Sequence, residues 1–194
     1  MRRSIHILMA AALGISGLAT AQNAVQNGDF DTDVSGWTLT GANMVFDGSF
    51  NIVGSAGSGA IRVTNLIGDG TFQATQCVTG PFPPGNYNFG AWILMPDSQA
   101  GSGSGRVGAM FFTDSACSVV MAGTGSFVNL LTPSDEWDLI TAQKTAPAQA
   151  GSVLIGLQTA SQPNNGNPLT VYFDGVRFGP VPTFPVELQS FDVE

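Results

Sequence analysis

From Gly36 to Phe178 the chain repeats one pattern: short runs of alternating apolar and polar residues, separated by glycine, proline and small polar residues. Apolar residues at every second position define a strand with one buried face. "GAIRVTNLI" puts Ile61 and Val63 on one side, Arg62 and Thr64 on the other. "NYNFGAWILM" sets Tyr87, Phe89, Ala91 and Ile93 against Asn88, Gly90, Trp92 and Leu94. "GRVGAMFFTD" sets Val107, Ala109 and Phe111 against Arg106, Gly108, Met110 and Phe112, and "SVLIGLQTA" sets Val153, Ile155 and Leu157 against Leu154, Gly156 and Gln158. "GWTLTGANMVF", "TFQATQCV", "SFVNLLT", "EWDLITAQKT" and "TVYFDGVRF" complete the set, and no long segment has a helical period. About nine or ten short strands at this spacing predict an all-β sandwich or barrel.

In the three clearest strands the β-branched and aromatic set forms the core face. The opposite face carries a glycine in mid-strand each time: Gly90, Gly108 and Gly156. Glycine weakens a strand, so its presence needs a reason. Either a ligand comes close to the sheet there, or the sheet curves or packs beneath a loop.

The two ends depart from this pattern. Residues 1–21 have a basic start at Arg2 and Arg3, an apolar run from Ile5 to Leu18, and a small-x-small ending at Ala19-Thr20-Ala21. That is the anatomy of a secretory signal peptide, and the run is too short for a preferred membrane span. Residues 180–194 contain Pro180, Pro182 and Pro185 and read as a stiff C-terminal tail. Such a tail could serve as a sorting or anchoring tag, as a strand donated to a neighbour for self-assembly, or as a plain end. One domain, residues 22–179, lies between, with no later segment apolar enough to span a bilayer.

Charge and cysteine usage narrow the function. Beyond residue 21 the only basic residues are Arg62, Arg106, Lys144 and Arg177, against fourteen acidic ones, a formal charge of −10. A chain so acidic repels phosphate backbones, which excludes nucleic acid as a natural partner. The single histidine, His6, sits in the signal peptide, so no imidazole remains for catalysis or metal binding. Cys77 and Cys117 are an isolated pair, and in an oxidising compartment such a pair forms a disulfide. A free thiol or a metal pair stays open as an alternative.

Few motifs carry chemistry. "GSGRVG", Gly103 to Gly108, has G-x-G-x-x-G spacing but follows a Gly/Ser stretch and leads into a strand, where a dinucleotide site needs a helix. It reads as a surface loop. "NGDFDTDVSGW" brings Asp29, Asp31 and Asp33 together before Trp37. An EF-hand loop would need Gly and Glu where Val34 and Thr40 stand, so that loop is excluded. Calcium held by this turn and a distant carboxylate, Asp174, is not. Asp135, Glu136 and Asp138 beside Trp137 read as a turn entering a strand, with nothing to mark an acid and a base for glycoside hydrolysis. The reading is non-catalytic.

Four segments resemble a known family. "VQNGDFDTDVSGW", "PPGNYNFGAWIL", "EWDLITAQKTAPAQAGSVLIGLQT" and "VYFDGVRF" occur in the order found in jelly-roll carbohydrate-binding modules of the galactose-binding-like type, over most of residues 25–179. The resemblance implies a two-sheet jelly-roll β-sandwich. It also implies a structural calcium where the opening turn meets the last strand, at Asp31 and Asp174, with Asp29 a weaker candidate; many members have Glu where this chain has Asp31. It makes Trp37 and Trp137 core positions. Such modules bind polysaccharide or cell-surface glycan on a sheet face, with aromatic rings stacking on sugars and polar groups bonding hydroxyls. Trp92, Asn88, Arg106, Gln158 and Tyr172 are the residues nominated for that role, with Gly90, Gly108 and Gly156 as a shallow floor. The resulting expectation is a secreted glycan-binding module, with a surface protein that assembles through its tail as the alternative.

Overall fold

A computed structural model describes residues 23–40, 43–52, 58–65, 74–161 and 167–181. The expected signal peptide and nearly all of the expected tail lie outside these residues. In chain order the described strands are β1 (Thr38–Leu39), β2 (Met44–Asp47), β3 (Ala60–Asn65), β4 (Ala74–Thr79), β5 (Gly85–Leu94), β6 (Gly103–Phe112), β7 (Ser126–Leu130), β8 (Trp137–Ala146), β9 (Ser152–Ser161) and β10 (Leu169–Pro180). They form two five-stranded sheets, ordered β1-β4-β9-β6-β7 and β2-β3-β10-β5-β8, with every pairing antiparallel. This is the expected all-β two-sheet jelly-roll sandwich.

Alternation put the core residues where they are. Ile61, Val63, Phe89, Ala91, Ile93, Val107, Phe111, Val153, Ile155, Leu157, Val171, Phe173 and Phe178 are buried between the sheets. Each of these side chains larger than alanine contributes on the order of 1.5–3 kcal/mol when withdrawn from water. The proline turn "GPFPPG" closes one end of this core. Tyr87 stacks on Phe178 with ring centroids 5.2 Å apart, and its hydroxyl donates to the Pro83 carbonyl at 3.1 Å. That satisfies the polar tip of a buried ring and fixes the turn.

Two segments differ from the sequence reading. "GWTLTGANMVF" is not one strand: β1 joins the first sheet and β2 the second. "GSGRVG" is not a loop but the first half of β6, because Gly103 to Gly108 pair with Ser161 to Gly156 along β9. Glycine is required inside that stretch, since a Cβ on Gly105 would lie 2.8 Å from Val171 and 2.9 Å from Ile93 across the core.

The opening segment is laced along β10. Ala24 donates to Phe178, Val176 donates to Gly28, and the Asn23 side chain bonds both Val176 and Phe178. Trp37 is buried beside Phe30, with its indole N–H on the Asn27 carbonyl at 3.2 Å. Cys77 and Cys117, 40 positions apart in sequence, form a disulfide with Cα atoms 6.0 Å apart. On a chain-entropy basis, closing that loop contributes about 4 kcal/mol.

Candidate functional site: two sheet faces and an acidic corner

The nominated ligand residues do not share a face. Arg106 and Gln158 sit opposite one another on β6 and β9, on the outer side of the first sheet. Trp92 and Asn88 on β5 and Tyr172 on β10 belong to the outer side of the second sheet. Alternation had assigned each to the side away from the core; only long-range pairing assigns the sheet.

The first sheet's outer face is built around glycine. Gly108 and Gly156 are directly paired. The row continues to Thr75 and Thr38 on one side and to Phe127 on the other. The centre of this face therefore carries no side chain. Phe127 stands at its edge with 47% of its surface exposed. The adjoining row is Gln158, Arg106 and Asn129. Arg106 is half-buried, its Nε–H donating to Ser104 Oγ at 2.9 Å. Among the described residues no carboxylate pairs with it. That bond orients the guanidinium, whose planar fork suits paired oxygen acceptors. Gln158 is buried at 1% exposure. The row on the other side is Cys77, Leu154 and Met110. Among the described residues, the strands here turn no carboxylate outward.

Phe127 and Asn129 were missed by the sequence reading. The signal was present in "SFVNLL", whose alternation puts both on one side, but nothing local told which side faced the core.

The second sheet's outer face is filled by the chain itself. Across it run Val45, Arg62, Tyr172, Leu94 and Trp137. After β2 the chain folds back, and Phe50 stacks on Tyr172 with centroids 4.1 Å apart. Tyr172 is 7% exposed and, with Ala60 and Leu94, forms a small second core against which Phe50 and Trp137 pack. Trp137 thus packs outside the sandwich rather than within the main core. Trp92 is half-buried. Gly175 lies so close to it that a Cβ there would come 2.8 Å from Trp92 and 3.1 Å from Ile52; at φ 56° glycine is also the residue suited to this backbone. Gly90 has a structural cause too: a Cβ would approach the Ile140 carbonyl oxygen to 2.1 Å on the neighbouring strand. Packing thus accounts for Gly90, while Gly108 and Gly156, both buried, face each other on the opposite sheet.

The acidic corner lies where the opening turn, the segment after β2 and the irregularity of β10 meet. Asp174 is buried at 1% exposure. Its carboxylate accepts from Ile52 N at 3.0 Å and Gly175 N at 2.6 Å. Desolvation pushes its carboxyl up to about 6, opposed by those two bonds; the charge of Asp29 raises it further and that of Arg177 lowers it. Asp29 is ion-paired with Arg177, and its carbonyl accepts from Ser58. Asp31 is exposed. Of the turn's aspartates, Asp29 is therefore the one whose charge reaches Asp174. Among the described residues no group of three or more acidic, Cys or His side chains is placed to hold a metal ion. The donors present are carboxylate and carbonyl oxygens, the hard ligands calcium takes. Two carboxyls also meet on the rim at Asp97 and Asp135, where contact with Asp135 pushes Asp97 up.

No protein-family model matches this chain, and no curated protein does. Solved structures do. The tailspike protein 4 enzymatically active domain of bacteriophage CBA120 superposes with a TM-score of 0.56 at 16% identity, over 81% of this chain and 21% of that one. A family 16 carbohydrate-binding module gives 0.54 at 16% identity, over 80% of this chain and 99% of that one. The CBM22-2 xylan-binding domain from Paenibacillus barcinonensis gives 0.54 at 10% identity, over 79% and 97%. The chain therefore spans about a fifth of the tailspike domain and nearly the whole of the two modules. At these identities the likeness shows the fold, the jelly-roll sandwich of carbohydrate-binding modules.

Proposed function

We propose that this chain is a secreted, non-catalytic carbohydrate-binding module whose glycan site is the outer face of the first sheet. The observation that carries the reading is the facing pair Gly108 and Gly156, flanked by the exposed ring of Phe127 and by Arg106 with no carboxylate partner among the described residues. A sugar ring presents an apolar face and a rim of hydroxyls. A sugar ring laid over this floor would have Phe127 beside its apolar face and Arg106 and Asn129 beside its hydroxyls, with the buried Gln158 behind them. Full-length likeness to modules of this fold supports the same class. Glycoside hydrolysis needs two carboxyls across the scissile bond. The described strands of this face turn none outward, and Asp97 and Asp135 lie at the far end of β5 and before β8 on the other sheet. The disulfide supports an oxidising compartment.

A structural calcium is part of the proposal. Asp174, with the acidic turn at Asp29 and Asp31, would hold it. It would supply positive charge beside a buried carboxylate and pin the start of the fold to its last strand. Arg177, already on Asp29, competes for the same position. Melting with and without chelator tests this directly: a lower Tm in chelator, lost in Asp174→Asn, supports the ion, and identical melts refute it.

The binding site is tested by screening the protein against soluble and insoluble polysaccharides beside Arg106→Ala and Phe127→Ala. Binding that both variants lose, with unchanged Tm, supports the reading. No binding to any glycan refutes it.

A further inference from the structure

We propose that β8 is a dimerisation edge, pairing antiparallel with β8 of a second copy to join the second sheets of two molecules. The strand is ten residues long, lies at the end of its sheet and pairs along its whole length with β5 on one side. Among the described residues its other side makes no backbone hydrogen bond. The other sheet ends are shorter: β1 has two residues, β2 four and β7 five. A long strand with one row of unmet N–H and C=O groups is a template for another strand unless something blocks it. β8 has no proline or glycine, and its outward side carries Leu139, Thr141, Gln143 and Thr145, all exposed.

The occupant follows from register. A two-fold axis between antiparallel copies keeps outward side chains with outward side chains only when it passes through a residue position. Two such registers overlap most of the strand, centred on Thr141 or on Ala142. The second puts Lys144 opposite Ile140. The first puts Thr141 opposite Thr141, Leu139 opposite Gln143, and Asp138 opposite Lys144 twice over. Thr–Thr and opposite-charge pairs are among the favourable cross-strand neighbours. A lysine on an edge ordinarily repels a second strand; in this register it meets a carboxylate instead. Within one molecule neither charge has a salt bridge among the described residues: Asp138 accepts from Ser134 Oγ at 3.0 Å, and Lys144 donates to the Gly123 carbonyl at 3.4 Å. The second copy's β8 therefore matches this edge in length, face and charge.

Sedimentation velocity on the exported chain, from micromolar to near-millimolar loading, tests the proposal with three variants. Thr141→Lys places two ammonium groups opposite each other at the axis and Lys144→Glu sets like charges together twice. Both sites are on the strand's surface, and melting confirms that each variant folds. The expected result is a reversible monomer–dimer equilibrium. Its dissociation constant rises at least about tenfold in each single variant and returns toward the parent value in Asp138→Lys/Lys144→Glu. A monomer at every concentration overturns the proposal, as does a dimer indifferent to these changes.

Discussion

The outer faces of the two sheets start from the same alternation and end as different surfaces. On the second sheet the chain returns after β2 and lays Phe50 on Tyr172, and Gly175 lies close to both Trp92 and Ile52, so Tyr172 is covered and Trp92 is half-buried. On the first sheet Gly108 and Gly156 remove the side chains at the centre, and Arg106 and Phe127 stand beside them. On the proposed reading the richer aromatic face is the structural one, and the first sheet's face is the one that takes the ligand. Tryptophan content alone does not choose between the surfaces, because a large ring near a sheet is as readily a roof as a platform.

Four changes probe this contrast. Gly90→Ala should have the largest effect, since its Cβ would meet the Ile140 carbonyl at 2.1 Å and the Thr141 Cα at 2.9 Å. A loss of about 2–4 kcal/mol in denaturant unfolding is expected, in line with overpacked sites. Phe50→Ala unroofs Tyr172 and should cost about 2 kcal/mol, less than a fully buried phenylalanine because Phe50 is half-buried, with no change in glycan affinity by calorimetry. Arg106→Ala reverses that signature: affinity falls about tenfold to a hundredfold through lost charge-assisted hydrogen bonds, with Tm held. The smallest effect belongs to the loop that closes one end of the first sheet. There Asp114 accepts from the Ser118 hydroxyl at 2.6 Å and from the backbone amides of Val119, Ser118 and Ala116, and these bonds hold its carboxyl down at about 2. Its folded value lies below the ordinary 3.8, so its contribution is complete above about pH 4 and is lost as pH falls toward 2. Amide exchange at Ser118 and Val119 should quicken over that range while exchange in β5 stays slow; no change at Ser118 would show that the loop does not depend on Asp114.

Sequence pattern reached the strands, the core faces and the disulfide because each rests on local information. Period-two alternation sorts Ile61 from Arg62 and Phe89 from Trp92 without knowledge of the fold, and an isolated cysteine pair has one obvious partner. It also reached Gly108 and Gly156, which stand out from their strands. What it could not reach is which strands share a sheet. Arg106 and Trp92 read alike along the chain, yet β6 pairs with β9 and β5 with β10 and β8. Nor could it see that the segment after β2 covers Tyr172, since that contact joins residues far apart in sequence. At the acidic corner it found Asp174 and the turn but not Arg177, whose pairing with Asp29 depends on the irregular register after Asp174.

The most direct test of the account is isothermal titration of the best-binding polysaccharide into the parent protein, Arg106→Ala, Phe127→Ala and Trp92→Ala. The account predicts that the first two variants lose affinity at least about tenfold with unchanged melting, while Trp92→Ala binds as the parent does. Binding abolished by Trp92→Ala and untouched by Arg106→Ala and Phe127→Ala would contradict it and move the site to the second sheet.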